Sequence, residues 1–354
     1  MRKYFTFFLI IMLFSMLSAC QKPTVQDKPA ETASVPATAE ATLPQETSAL
    51  PTDDGMAGKP PETTDLTTEA ESTTSYVQPT MSELAPGCFY GEKTGTDQTL
   101  TGLQPLPLNP FSTASFPDPE TFSTKTIEHS YGVATDEKAH SISVNNQQFF
   151  DNGGYNALCL DTKTQEKVLY LTFDCGYENG YTAKILDTLR DKGVKAAFFC
   201  TLPQMKENGT LIARMINEGH IVGNHSVTHP DFSSLSRQEM LDEIKGFDDY
   251  LRQNFGYSAL YFRYPQGKYS EASLDLINSV GYKCVFWSLA YADWDLNNQK
   301  GADYALQTVV SRLHPGAVML LHAVSPDNAN ALEDIIDTAR EMGYTFRALS
   351  DYGT

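Results

Sequence analysis

From residue 161 to the end of this 354-residue chain, short apolar runs alternate with amphipathic segments, and no other feature constrains the fold as much. The runs are Val168–Phe173, Ala196–Cys200, Ile221–Val222, Leu260–Phe262, Cys284–Trp287, Ala317–Leu321 and Tyr344–Leu349. Between them lie Tyr181–Asp191, Leu211–Glu218, Arg237–Asn254, Ala272–Val280, Ala302–Leu313 and Ala329–Met342, with apolar residues at helical spacing. Gly193, Gly219, Gly281 and Gly343 close amphipathic segments, where a left-handed cap suits glycine, while Gly316 after Pro315 reads as a turn. Strand followed by helix, repeated about seven times, predicts an α/β fold with parallel strands and right-handed crossovers. So many units in so short a stretch point to a small or incomplete (β/α)7-type barrel. A doubly wound open sheet is the alternative.

Polar residues fall where the apolar runs stop. Asp174 follows the first run, His225 the third, Arg263 the fourth, Asp293 the fifth, and His322 the sixth. The C-terminal ends of parallel strands converge on one face of a barrel, and active sites are built there. His225 and His229 are four apart, which on a helical turn puts both imidazoles on one side, within reach of one metal ion. These groups suit metal-assisted hydrolysis, in which an ion acidifies water and polarises a carbonyl. Asp174 then acts as general base, held ionised by a bidentate Arg263. His322 protonates the leaving amine, kept cationic by Asp293. Trp294 and Leu320 supply apolar walls for a small acyl group. A structural ion pair at Arg263 and a core indole at Trp294 are the plainer readings, and the remaining histidines are read as structural or exposed.

The rest of the chain is of another kind. Arg2 and Lys3 precede an apolar stretch from Tyr4 to Leu17, which ends Leu17-Ser18-Ala19-Cys20. This reads as a lipoprotein signal peptide over residues 1–20, with Cys20 as the lipidated residue. Two acyl chains there would anchor the protein to the outer face of a bacterial membrane. Residues 21–86 hold nine prolines, thirteen threonines and a single aromatic, Tyr76, with three lysines against eleven acids. Such a stretch is read as a disordered linker, because it cannot bury enough apolar surface to offset ordering. It carries nearly half of the net charge of −18, which excludes nucleic acid as a partner. Residues 87–160, with prolines, aromatics and an alternating Ile142-Ser143-Val144, are expected to form an irregular strap on the catalytic domain at 161–354. Cys88, Cys159, Cys200 and Cys284 are either buried thiols or disulfide partners.

The motifs Thr172-Phe173-Asp174-Cys175-Gly176, His225-Ser226-Val227-Thr228-His229, Arg263-Tyr264-Pro265-Gln266-Gly267, Asp293-Trp294 and Leu320-Leu321-His322 occur in that order. Together they resemble the polysaccharide deacetylases, the NodB-homology enzymes of carbohydrate esterase family 4. Tyr177–Thr182, Asn297–Gly301, His322–Ser325 and Asp327–Ala329 make the likeness strongest to the delta-lactam-biosynthetic de-N-acetylases, a peptidoglycan N-acetylmuramic acid deacetylase branch. The resemblance implies a distorted barrel and a divalent metal ion, zinc foremost, on His225 and His229. It also implies Asp174 as base, His322 as acid, and Arg263 and Asp293 as their tuning partners. The backbone N–H of Gln266 stabilises the oxyanion, and Tyr264 and Gln266 stand at substrate-binding positions where the family usually has other residues. Cys175 occupies the place of a second aspartate, so it is either a thiolate ligand or a small hydrophobe.

The implied function is removal of N-acetyl groups from peptidoglycan by a membrane-tethered monomer outside the cytoplasm, leading to muramic delta-lactam in spore cortex. Deacetylation of N-acetylglucosamine polymers and a catalytically weak glycan-binding protein are the alternatives. A glycosidase pairing Asp174 with Glu178 or Asp293 leaves the histidines and Arg263 without roles.

Overall fold

The structure is a computed structural model that describes residues 121–352. Signal peptide, linker, Cys20 and Cys88 lie outside the described residues. In chain order the elements are β1 (Ile127–Glu128), α1 (Ser141–Gly153), β2 (Ala157–Leu158), β3 (Val168–Cys175), α2 (Thr182–Lys192), β4 (Ala197–Cys200), α3 (Leu202–Glu207), α4 (Gly209–Asn217) and β5 (Ile221–Asn224). They continue with α5 (Arg237–Phe255), β6 (Tyr261–Phe262), β7 (Lys268–Tyr269), α6 (Glu271–Ser279), β8 (Lys283–Val285), α7 (Ala302–Val310), β9 (Ala317–His322), α8 (Pro326–Glu341) and β10 (Thr345–Phe346).

Strands β10, β3, β4, β5, β6, β8 and β2 follow one another in a sheet, with β9 also on β3, and every pairing in it is parallel. Strand β3 is buried along its whole length, as a central parallel strand covered on both faces must be. The sheet curls until the segment after β8 meets β9 at one isolated parallel bridge, Leu289 to Met319. That bridge, with an antiparallel one from Leu160 to Ala317, makes the expected incomplete barrel: strands run round the ring, but β9 meets the far end of the sheet only through isolated bridges. Gly316 sets up β9 at φ +76, and a β-carbon there would lie 2.2 Å from the Asp161 carbonyl oxygen. The turn before β9 therefore requires glycine.

The helices form where apolar spacing and caps agree. In α5, Met240, Leu241, Ile244, Phe247, Leu251 and Phe255 form the buried stripe. Ser236 and Glu239 close a reciprocal capping box at its start, and Gly256 ends it at φ 61.

The strap differs from its expected irregularity. Ile142-Ser143-Val144 lies in α1, a helix of 13 residues capped by the His140 side chain at one end and Gly154 at the other. Its buried positions, Ser143, Gln147 and Phe150, are spaced for a helix but are mostly polar, so no apolar period betrays it. Gln147 accepts from the N–H groups of Cys159 and Leu160 at 2.8 and 3.2 Å, and the Phe150 ring stacks on Phe286. Strand β2 then joins the main sheet beside β8, and β1 pairs antiparallel with β7. A further short helix, α3, also lacked a signal in the sequence.

Candidate active site

The five strand-end groups do converge. Strand β3 delivers Asp174, and the β9 register sets His322 directly beside it. His225 follows β5 and Arg263 follows β6, whose Asn224 and Phe262 are paired. Asp293 reaches the same face from the loop after β8.

Two carboxylate–cation pairs organise the site. Arg263 is fully buried and donates from Nη1 to Asp174 Oδ1 at 2.8 Å. The pair is single-pronged, not bidentate as expected, because the other guanidinium N–H groups go to the Val285 carbonyl at 3.0 Å and the Phe286 carbonyl at 3.4 Å. The guanidinium also lies over the Phe199 ring, 4.2 Å from its centroid. Burial alone would raise the Asp174 carboxyl, but Arg263, with His225 and His322, outweighs it and holds the group below its usual range. Oδ2 of Asp174 is left 3.5 Å from His225 Nε2.

In the second pair the Asp293 carboxylate accepts from His322 twice, Oδ1 from Nδ1 at 2.7 Å and Oδ2 from the backbone N–H at 2.7 Å. Burial would lower the His322 imidazole, yet the charge and hydrogen bond of Asp293 more than offset it and raise the group. Because Nδ1 is engaged, Nε2 is the nitrogen left to exchange a proton. Thus a carboxylate and an imidazole are tuned in opposite directions on one face, an arrangement suited to acid–base chemistry near neutral pH.

The histidine motif is not a helical turn. Residues 225–230 form a bend in which Ser226 and His229 have positive φ, 74° and 59°. Gln266, in the third motif, is at φ 58°, so three non-glycine residues of the site occupy a conformation that side chains disfavour. The bend still brings the rings together, 4.8 Å between the His225 and His229 centroids. Glu243 of α5 pins it: its carboxylate accepts from the N–H groups of Val227 and Thr228 at 2.8 Å each and from the Thr228 hydroxyl at 2.6 Å. Nothing in the sequence marks Glu243, which sits mid-helix among other charges.

Donor chemistry at the two histidines fits a divalent cation. His225 Nδ1 lies 2.9 Å from the Arg263 carbonyl, which orients the ring and leaves Nε2 toward the site. Burial lowers both imidazoles, His229 to about 4, so both are neutral and able to ligate at neutral pH. Cys175 is placed differently. It is in register with Cys200 on β4, and the neighbouring Cys200 thiol together with burial pushes the Cys175 thiol well up. Among the described residues no three His, Cys, Asp or Glu side chains are grouped to hold a metal ion. Cys159, Cys175, Cys200 and Cys284 are all buried free thiols.

The substrate positions divide. Trp294 is 50 % exposed at the lip, and so is Tyr177 after the first motif. Leu320, two residues before His322 on β9, shares its face. Tyr264 is buried against Phe232, Phe262 and Phe286, so its ring belongs to the core rather than to the cleft. His129, read as structural, packs on Phe286 and Trp287 with Nε2 2.7 Å from the Trp287 carbonyl, and burial takes it down to about 4.

A parallel barrel with this constellation has the makings of a hydrolase, and the chain belongs to the polysaccharide deacetylase family, whose pattern matches residues 161–285. It is 46 % identical over 198 residues to the peptidoglycan-N-acetylmuramic acid deacetylase PdaA of Bacillus subtilis, covering 56 % of this chain and 75 % of that one. An uncharacterized protein of Geobacillus stearothermophilus is 47 % identical, with 56 % and 74 % covered. The solved structure of the Bacillus subtilis PdaA, a family 4 carbohydrate esterase, superposes with a TM-score of 0.61 at 38 % identity, over 65 % of this chain and 97 % of that one.

Proposed function

We propose that the protein removes the N-acetyl group from N-acetylmuramic acid in peptidoglycan, by attack of water on the acetamide carbonyl. The carrying observation is the pair of oppositely tuned groups, Asp174 on Arg263 and His322 on Asp293, facing one another at the ends of β3 and β9. The likeness to the Bacillus subtilis deacetylase supports muramic acid as the sugar.

Asp174 Oδ2 takes a proton from water, and the resulting hydroxide attacks the acetyl carbon. Arg263 keeps Asp174 ionised and, through Oδ1, turned so that Oδ2 faces the reacting water. The backbone N–H of Gln266 donates to the oxyanion as the tetrahedral intermediate forms. His322 gives its Nε2 proton to the nitrogen, the C–N bond breaks, and acetate and a free amine leave. Trp294 and Leu320 border the acetyl methyl. His225 and His229 would hold a divalent ion, zinc foremost, with water filling the remaining positions. When bound, such an ion polarises the carbonyl and acidifies water.

Substrate of this size lies outside the cytoplasm, which agrees with residues 1–20 as a lipoprotein signal, Cys20 as the anchor and residues 21–86 as a tether. Among the described residues no helix is long and apolar enough to cross a membrane. Purified protein given peptidoglycan stripped of its stem peptides should release acetate and leave muramic amine, or its lactam, by mass spectrometry, and a chelator should stop it. Acetate from N-acetylglucosamine polymers alone would transfer the assignment to that sugar. Retained glycan binding with no acetate from any glycan would leave a binding protein.

A further inference from the structure

Asp293 has a second partner that the reaction as described does not use. Asn328, fully buried near the start of α8, donates its amide to Asp293 Oδ2 and, at 3.3 Å, to the His322 carbonyl. Its amide oxygen accepts from the Tyr291 hydroxyl at 2.5 Å. The amide orientation follows from its partners: a carboxylate and a carbonyl accept only, so the NH₂ faces them and the oxygen faces the hydroxyl. Every polar atom of the side chain is satisfied, as burial demands.

Its position in the helix is equally informative. Ser325 caps α8 by accepting from the Asn328 N–H at 3.2 Å, and Pro326 takes the first helical position. In a capping box the third helical side chain reaches back to the cap's own N–H. Here the Ser325 N–H goes to the His322 carbonyl at 3.3 Å, and the Asn328 side chain turns into the site. Helix stability would favour Glu or Gln at this position, so a local rule is set aside where the site needs an amide.

The backbone around Asp293 is already fixed without Asn328. Gln299 donates to the Asp293 and Asp295 carbonyls at 2.8 and 2.9 Å and accepts from the Ser325 hydroxyl at 2.9 Å. Asn328 joins the His322 backbone N–H on Oδ2, and together they set the rotation of the carboxylate about its last bond, which decides whether Oδ1 lies on His322 Nδ1.

We infer that Asn328 is a positioning residue for proton donation: held by Tyr291, it locks the Asp293 carboxylate so that His322 is presented with Nε2 toward the leaving nitrogen. This rests on reading His322 as the proton donor. The test compares the full chain with Asn328→Asp, which keeps the shape but removes the donor, and with Tyr291→Phe, which deletes one oxygen. The His322 Nδ1–H proton, bonded to a carboxylate, gives a far-downfield NMR resonance that needs no substrate. Asn328→Asp should abolish or strongly shift that resonance and lower kcat on peptide-free peptidoglycan about 100-fold, with KM changed less than about twofold. Tyr291→Phe should shift the same resonance less and lower kcat by about 3- to 10-fold; it carries the test if Asn328→Asp does not fold. A resonance unmoved in every folded variant overturns the inference. If wild-type protein releases no acetate from any glycan but the resonance responds as stated, the deacetylase reading fails and the positioning role stands.

Discussion

The Asp174–Arg263 and Asp293–His322 pairs have nearly equal contact distances, 2.8 and 2.7 Å, and opposite purposes. In the first the cation cannot give up its proton and serves the carboxylate. In the second the carboxylate serves a cation that can. Their settings differ accordingly. Arg263 is sealed between β6, β8 and the Phe199 ring, whereas the His322 side chain keeps 23 % of its surface exposed. The sealed pair joins β3 to the residue that follows β6; the open one sets His322 of β9 against Asp293, Gln299 and Asn328 from a loop and a helix start. A fixed charge can be buried in the sheet, while the group proposed to exchange protons keeps part of its surface open to water.

Asp174→Asn should be the most damaging change, lowering acetate release by about 10³-fold or more with substrate binding retained. A loss below about tenfold would remove Asp174 as base. Arg263→Met and His322→Gln should both lower kcat by about 100-fold but part company in urea unfolding. The first strands Asp174 as a buried charge and costs about 3–5 kcal/mol; the second leaves Asp293, equally buried, on the Asn328 amide and the residue 322 N–H, and should cost about 1–2. Equal costs would erase the contrast between sealed and open pairs.

The pH profile sharpens the contrast further. His322 is raised above 6.5, so the acid is present below its raised pKa and lost as pH rises through it. Asp174 is lowered, so the base is present above its pKa and lost only as pH falls through it. The rate against pH should therefore be broad, with an alkaline limb above 6.5 that disappears in His322→Gln. An alkaline limb centred below 6.5 in the wild type would contradict the Asp293 contact. The smallest effect is expected from Cys175→Ser: metal affinity by calorimetry within about twofold, with about 1–3 kcal/mol lost to a buried hydroxyl. A tenfold loss of affinity would restore Cys175 as a ligand.

Much of this was legible because parallel strands write themselves as apolar runs that stop at a polar residue. Asp174, His225, Arg263 and His322 each stand at such a stop, and periodicity alone located them. What stayed hidden depends on tertiary partners. Spacing cannot reveal that Ser226 and His229 turn left-handed, so the histidine pair reads as helical when it is a pinned bend. Helix α1 buries Ser143 and Gln147, which leaves no apolar stripe to detect. Cys175 looks like a donor until Cys200 is seen in register beside it. Asn328 stands out in the sequence only through the family likeness, and Tyr291 and Glu243 do not stand out at all, because each acts through a contact far along the chain.

The Glu243 contact carries one more consequence. By tying the Val227 and Thr228 amides to α5, it joins the histidine bend and a 19-residue helix into one cooperative unit. Anything that binds the two imidazoles must then slow hydrogen exchange along α5, and anything that frays α5 must loosen the grip of the imidazoles by the same free energy. Occupancy of the site can thus be followed from the amides of α5.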